Sequence, residues 1–189
     1  MTIGDHLRTM TVQAESPDGN IWSRVHDYTR LDVGFRPFAY ERYDEPSLSY
    51  QLARLGLLTW VAWSRERTEI YRRTVNLTTD EAGRATWTED PARLRYEAEL
   101  NAIEAAGVST HGAVRVRTVG MMQWQVDVEP GTLRRLVEPT FAGEIHAAFD
   151  ALMSDRQRQI IMLKSEYFDL GLPRRWQDIM TEARRLNRS

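Results

Sequence analysis

Residues 112–130 read GAVRVRTVGMMQWQVDVEP, and this stretch decides the fold. From Ala113 to Val119 valines alternate with arginines, which is the period of a strand with one face buried and the other in water. Gly120 begins a turn, and Gln123–Val128 alternates again until Pro130, which has no N–H to donate, ends the ladder. The pattern predicts a β-hairpin.

Helical segments flank this hairpin. Before it, Pro91–Ala106 is amphipathic and Gly107 follows as a stop signal, so we expect one helix there. After it, Leu133–Val137 predicts a short helical turn. A long helix is expected to begin at Pro139, to carry apolar residues at helical spacing and to end near Phe168.

The same unit occurs twice in the chain. Shifted by 93 positions, residues 19–58 align with residues 112–151 without a gap. Because proline and glycine set backbone geometry, their repetition in register favours a duplicated supersecondary unit over two unrelated strand-then-helix segments. The identical pairs are Gly19 with Gly112, Arg24 with Arg117, Val33 with Val126, Pro37 with Pro130, Arg42 with Arg135, Glu45 with Glu138 and Pro46 with Pro139.

The first copy has the same predicted elements. A turn at Ser16–Gly19 leads into a hairpin that pairs Ile21–Val25 with Leu31–Phe35. A long helix is expected over residues 45–73 on an apolar stripe. We therefore expect an α+β fold of two tandem β-hairpin plus long α-helix units, with the two long helices packed together.

The repeat divides the chain into four parts. They are a first unit at 1–75, an acidic connection at 76–90, a second unit at 91–170 and a basic tail at 171–189. Residues 84–88 of the connection are a candidate short strand. The tail is a candidate terminal helix, and its arginines form the one local positive excess that the sequence shows.

Charge and composition argue against several classes of protein. The chain has 25 basic and 27 acidic residues, so no overall positive field draws it to nucleic acid. It contains no cysteine, which excludes disulfides and thiolate metal sites. No apolar run reaches membrane-spanning length and Met1–Met10 does not resemble a signal peptide, so we expect a cytoplasmic protein without a membrane partner. Lys164 is the single lysine, and this preference for arginine indicates a high-GC bacterium.

Three segments of the second copy carry a family resemblance. They are GAVRVR at 112–117, VDVEP at 126–130, and Ile145 followed by AAFDA at 147–151. In this order, between a leading helix and a long following one, they resemble the YbaB/EbfC family of bacterial nucleoid-associated proteins. The match covers residues 90–165 well and residues 17–73 more weakly.

The resemblance implies an α+β protein that dimerises into a tweezer-like shape and binds DNA with little sequence preference. Relatives in actinobacteria include proteins associated with type VII secretion, which implies a protein-interaction role instead. Because this chain holds two copies, the resemblance implies an intramolecular pseudo-dimer, as a monomer or within a homo-oligomer. The first copy departs from the family because it lacks a long leading helix.

The candidate nucleic-acid residues are arginines. Arg115 and Arg117 lie opposite the valines of their strand, where they could meet phosphates, although a plain solvated face is the simpler interpretation at balanced charge. The tail arginines are also interpretable as ordinary helix surface. These tail candidates are Arg174, Arg175, Arg184 and Arg185.

The candidate partner-binding residues are aromatic. Trp60 and Trp63 lie three residues apart on one face of the first long helix, and Tyr71 follows. Packing against the other copy or a dimer mate is the structural interpretation of this pair. A groove for a protein partner is the functional one.

The sequence contains no pattern that predicts catalysis, a cofactor or a metal site. No two of its four histidines have the H-x-x-x-H spacing, and it has neither a G-x-G-x-x-G loop nor a nucleophile elbow. We therefore expect a non-enzymatic protein without a cofactor, whose partner is either DNA or another protein.

Overall fold

The computed structural model describes residues 3–26, 30–74 and 90–167 of the chain. Its helices are α1 (Ile3–Thr9), α2 (Glu45–Thr74), α3 (Pro91–Asn101), α4 (Thr132–Arg135) and α5 (Glu138–Tyr167), with a 3-10 turn at Tyr40–Arg42. Its strands are β1 (Val12–Glu15), β2 (Ile21–His26), β3 (Arg30–Phe35), β4 (Glu104–Val108), β5 (Val114–Val119) and β6 (Gln123–Val128). Within these ranges, no helix combines the length and the apolar composition needed to cross a membrane.

The strands form two three-stranded antiparallel sheets, in the orders β1-β2-β3 and β4-β5-β6. The predicted α+β class is therefore confirmed. Both predicted hairpins are present, as β2 with β3 and β5 with β6. Each hairpin also carries a third strand, β1 or β4, so the description of the repeat as a hairpin plus a helix is incomplete.

The predicted helix at 91–106 is wrong over its last turn. Helix α3 ends at Asn101, and residues 104–108 then alternate between exposed and buried, which is the period of a strand. Gly107 explains the strand, because its backbone lies directly against the backbone of Ala148 on α5, where any side chain would collide. The contact brings β4 under the long helix.

Side chains of α5 cover the free edge of β4. Asp155 Oδ2 accepts a hydrogen bond from the N–H of Ala106 at 3.1 Å, and Gln159 Nε2 donates to the C=O of Glu104 at 2.6 Å. These bonds satisfy backbone groups that point away from β5. They protect the edge from pairing with the strand of another chain.

The elements of the first half recur 93 residues later. β2 and β5, β3 and β6, and α2 and α5 each begin and end at positions related by this offset. The turns before β2 and β5 match as well, because Gly19 and Gly112 have φ angles of 70° and 73°. The buried Ser16 and Ser109 each accept, through Oγ, the first N–H of the following strand at 3.0 Å. The two halves therefore share their local backbone structure.

Each long helix packs mainly on strands, and on strands from both halves. Helix α2 lies against β1 and β2 of its own half and β6 of the other, while α5 lies against β4 and β5 and also contacts β3. The two long helices were predicted to pack together; they meet where Arg156 of α5 lies against Trp60 of α2, but most of their packing is with strands. Each narrow sheet has an apolar face to bury, and the apolar stripes of the helices cover these faces.

One hydrophobic core extends through both halves. Phe35 and Tyr40 of the first half meet Phe141 of the second, with ring centroids 6.3 Å and 5.5 Å from that of Phe141. Phe141 and Leu48, its equivalent in the first half, are both fully buried. Because one cluster buries large side chains from both halves, each half depends on the other for stability.

Hydrogen bonds also join the halves. Ser49 Oγ on α2 accepts from the N–H of Val128 at 3.0 Å, and the Tyr40 hydroxyl donates to the C=O of Leu136 at 2.9 Å. Glu45 Oε1 accepts the N-cap N–H of α4 at 2.9 Å. The start of α2 is therefore bonded to the end of β6 and to the segment that follows it.

A buried carboxylate holds the turn between β4 and β5. Glu144 on α5 is almost fully buried, and its two oxygens accept from His111, Oε1 from Nδ1 at 2.6 Å and Oε2 from the backbone N–H at 3.3 Å. Burial raises the pKa of Glu144, but hydrogen bonds from His111 and Ser109 outweigh it and hold the pKa below its ordinary value of 4.5. The equivalent residue of the first half is Gln51.

We expect Glu144→Gln to lower the free energy of unfolding at about pH 7 by about 2 kcal/mol, because it weakens hydrogen bonds to a buried charge. Since the folded pKa of Glu144 is depressed, its contribution is present above the unfolded pKa and disappears as the pH falls through the folded value. The difference between wild type and variant should therefore shrink below about pH 4.5. Urea unfolding across this range measures it, with the exposed Asp150→Asn on the same helix as control. A difference that stays constant into acid would contradict the prediction.

Candidate functional site

Arg115 and Arg117 lie on the outward face of the second sheet, and both are exposed, as predicted. Across the strand pair Arg115 faces Asp127 and Arg117 faces Gln125. Glu104 lies on the same outward face, on β4. This face therefore carries both signs of charge, whereas phosphate binding uses clustered cations.

The outward face of the first sheet is likewise mixed. The Arg24 guanidinium lies 5.9 Å from the Trp22 ring centroid, and its cross-strand neighbour is Asp32. Asp32 Oδ2 also lies 3.0 Å from Nε2 of His26. The Trp22 ring covers Gly34, where an added Cβ would lie 2.4 Å from it. On the described strands, neither outward face forms a continuous basic stripe.

The other predicted cationic residues lie outside the described part of the chain. They are Arg174, Arg175, Arg184 and Arg185. The acidic connection also lies outside it, apart from Asp90, and so does the candidate strand at 84–88.

A cleft of about 170 Å³ lies between the two halves. Its walls come from α2, β2 and β3 of the first half and from α5, β5 and β6 of the second, and they are mostly apolar. The volume is close to that of a cavity known to hold benzene, on the order of 150 Å³. The cleft, which is partly open to solvent, is therefore large enough for one large apolar group.

Two of the predicted aromatic residues line this cleft. The half-buried rings of Trp60 and Trp63 stack, with centroids 5.0 Å apart and planes 21° from parallel. Arg67 lies 5.5 Å from the Trp63 ring, and Arg156 of α5 lies 5.2 Å from the Trp60 ring. Tyr71 is exposed two turns beyond Trp63 and is not part of the cleft lining. Trp60 therefore packs toward the second half of the chain.

Equivalent residues of the two halves differ in bulk around the cleft. Trp124 on β6 lies against Gly56 on α2, where an added Cβ would be 2.7 Å from the indole ring. Trp124 Nε1 donates to the C=O of Met121 at 2.7 Å, which orients the ring. The equivalents of these two residues, Leu31 and Phe149, line the cleft as well. The contact of a large ring with glycine therefore corresponds, at the equivalent place, to two sizeable side chains that both line the cleft.

The rim of the cleft differs between the two halves. Trp60 corresponds to Met153 by the 93-residue offset, and Trp63 corresponds to Arg156. One side of the rim is therefore aromatic, and the other carries a guanidinium group with Gln157 beside it. The Nε atom of Arg156 is buried.

Two buried hydroxyls form the polar part of the wall. The Oγ atoms of Ser23 and Thr59 lie 2.6 Å apart, and the C=O groups of Leu55 and Ala14 lie 2.7 Å from Thr59 Oγ1 and 3.5 Å from Ser23 Oγ. These neighbours give both hydroxyl protons an acceptor. The pair therefore serves as structure and lacks the arrangement of an activated nucleophile.

Sequence reasoning identified Trp60 and Trp63 but missed Arg156. The offset of 93, continued beyond residue 151, pairs Trp63 with Arg156, and this contrast is the signal that identifies the arginine. Trp124 and Gly56 carry no comparable signal. Their contact depends on how the two halves are placed, which local sequence does not encode.

The lining of the cleft offers apolar side chains, the hydroxyls of Ser23 and Thr59, the Gln157 amide and the Arg156 guanidinium. Within residues 3–26, 30–74 and 90–167, no three His, Asp or Glu side chains are close enough together to hold a metal ion.

The resemblance to the YbaB/EbfC family stays a prediction. In comparisons with known proteins, no family model matches this chain, and no curated protein and no solved structure matches it either.

Proposed function

We propose that this chain is a non-enzymatic binding protein, an intramolecular pseudo-dimer of two YbaB/EbfC-like units that serves as a protein-interaction accessory factor. The observation that supports the proposal is the apolar cleft, to which both halves contribute and which Trp60 and Trp63 line. A partner protein inserts one large apolar side chain into it. Such a role corresponds to the secretion-associated relatives that the resemblance implies.

Three features support the pseudo-dimer. The main strands and the long helices recur at one constant offset. Large side chains of both halves, with Phe141 among them, share one core. Two hydrogen bonds cross between the halves: Ser49 Oγ accepts from the N–H of Val128, and the Tyr40 hydroxyl donates to the C=O of Leu136. A single chain thereby builds an assembly of two similar units with a cleft between them.

The cleft is suited to an anchor side chain. Burial of a Leu, Phe or Met side chain contributes about 1.5–3 kcal/mol. Protein interfaces concentrate their binding energy in a few such buried anchors, and aromatic residues and arginine are enriched around them. We therefore expect the anchor to dominate the affinity for the partner.

DNA binding is less well supported by the geometry. The chain has a formal charge of −2, and the outward faces of both sheets mix acidic and basic residues. The affinity of a protein for DNA phosphates comes largely from several cationic side chains that together displace the counterions bound to the DNA. A DNA-binding role would therefore depend on the arginines of the tail.

The proposal predicts that peptides selected from a random phage-displayed library share a large apolar residue and bind in the cleft. Trp63→Ala removes part of one wall, so we expect it to weaken binding by about tenfold or more. Trp22→Ala, on the outward face of the first sheet, is the matched control and should change affinity by less than about twofold. Anisotropy of labelled peptides measures both. Equal binding to wild type and Trp63→Ala would contradict the proposal.

A gel shift across a range of salt concentrations tests the DNA alternative. We expect no shift at low salt with micromolar protein. A shift that weakens steeply with salt and is lost when the tail arginines Arg174, Arg175, Arg184 and Arg185 are all replaced by Gln would replace the proposal by DNA binding, because such a salt dependence reports phosphate contacts.

A further inference from the structure

We propose that the partner's anchor is accompanied by a carboxylate: the cleft accepts a large apolar side chain, and Arg156 binds an acidic group next to it. This inference rests on the proposed function and adds the chemistry of the segment that the cleft recognises. The partner segment then holds a Phe, Trp, Leu or Met beside an Asp or Glu.

Arg156 is positioned at the rim by aromatic neighbours. Its guanidinium lies 5.2 Å from the Trp60 ring centroid, and its Nε is buried. On α3, burial raises the pKa of the Tyr96 phenol, and the charge of Arg156 partly opposes this rise. A guanidinium held in this way loses little further side-chain entropy when it binds an anion.

The two sides of the rim carry different residues, and this difference indicates how a bound ligand is oriented in the cleft. A dimer of identical units would have the same residue at positions 63 and 156, so both sides of the cleft would make the same contacts with a ligand. In this chain Trp63 stands at one position and Arg156 at the other. The duplicated cleft therefore distinguishes an apolar end from an anionic end.

The surroundings of Arg156 strengthen an interaction with a carboxylate. Phe149 and Met153 of the same helix and Trp60 across the cleft line the wall beside it. Because water is partly excluded by these side chains, the local dielectric constant is lower than at an open surface, and a charge-assisted hydrogen bond gains in strength. A neutral amide at the same place gains less.

Two capped peptides that differ in one group test the inference. Acetyl-Ser-Phe-Glu-Ser-amide and its Gln counterpart are titrated into labelled protein, and the indole N–H signals of Trp60 and Trp63 report binding. We expect the Glu peptide to bind about three- to fivefold more tightly than the Gln peptide. Raised salt should reduce this preference.

Substitutions on α5 locate the preference. In Arg156→Gln the two peptides should bind within about 1.5-fold of each other, while Arg156→Lys should keep part of the preference. Arg158→Gln removes an exposed arginine two residues away, which pairs with Asp155 outside the cleft, and should keep all of it. If Arg156→Gln binds the Gln peptide with wild-type affinity, the cleft of this variant is intact. If Arg156→Gln does not bind the Gln peptide, the Glu preference is measured in Arg156→Lys instead, and loss of the whole preference there would overturn the inference.

The outcomes separate this inference from the proposed function. If both peptides move the two indole signals and bind equally to wild type, the carboxylate is not recognised and the inference fails while the cleft remains a binding site. If neither peptide moves these signals, the proposed function fails together with the inference. A Glu preference that survives in Arg156→Gln would also overturn the assignment to Arg156.

Discussion

Gly107→Ala is expected to lower the free energy of unfolding by about 3 kcal/mol or more, a large effect for one methyl group. The added Cβ would lie 2.1 Å from the carbonyl oxygen of Ala148 and 2.4 Å from the backbone nitrogen of Leu152. Both are backbone atoms of α5, so rotation of a side chain cannot relieve the collision. The helix and β4 must move apart, which opens the core beneath them.

Gly143→Ala is the matched control, because it adds the same methyl group to another glycine of the second half. Gly143 lies within α5, and nothing lies within 4 Å of the added Cβ. Alanine has the higher helix propensity, so this variant should be more stable by about 0.5–1 kcal/mol. Urea unfolding of both variants gives the two values. A loss below about 1 kcal/mol for Gly107→Ala would show that β4 and α5 are less closely packed than described.

Phe141→Ala is expected to cost about 4 kcal/mol, within the range for truncating a large, fully buried ring. The ring belongs to the second half but packs against Phe35 and Tyr40 of the first. If one core stabilises both halves, the variant should still unfold in one transition. Hydrogen exchange should report the same loss of protection in β2 and in β5.

Phe38→Ala is the control for this experiment. Phe38 is 76% exposed, and its φ of 60° is as unfavourable for alanine as for phenylalanine. We therefore expect a change below about 0.5 kcal/mol. Two separate transitions in Phe141→Ala, with β2 unaffected, would show that the halves are stable independently and would contradict the shared core.

The elements with a clear period could be predicted from the sequence. Apolar and polar residues alternate in β6 and over the first four residues of β5, and the apolar stripes of α2 and α5 repeat at helical spacing. All of these elements are found within a few residues of the predicted bounds. β4 could not be predicted in this way, because its sequence EAAGV has helix-forming alanines and few β-branched residues. In the structure it pairs with β5, and α5 lies directly on Gly107.

The candidate site was only partly predictable. The spacing of Trp60 and Trp63 indicates a shared helix face, and the structure places that face on a cleft between the halves. The 93-residue offset pairs Arg156 with Trp63, but only the tertiary structure places its guanidinium 5.2 Å from the Trp60 ring. This distance depends on the packing of both long helices against the sheets, to which residues from the whole described chain contribute.

By itself, the sequence determined the local elements and their duplication, because alternation, helical periodicity and the positions of glycine and proline act over a few residues. The tertiary structure alone decided that each hairpin gains a third strand, that the long helices cover strands of both halves and that a cleft forms where the halves meet. The physical reason is that these features depend on contacts between residues far apart in the chain, such as Ser49 with Val128 and Gly107 with Ala148. Their energies depend on how complementary surfaces fit, which the local pattern of apolar and polar residues does not specify.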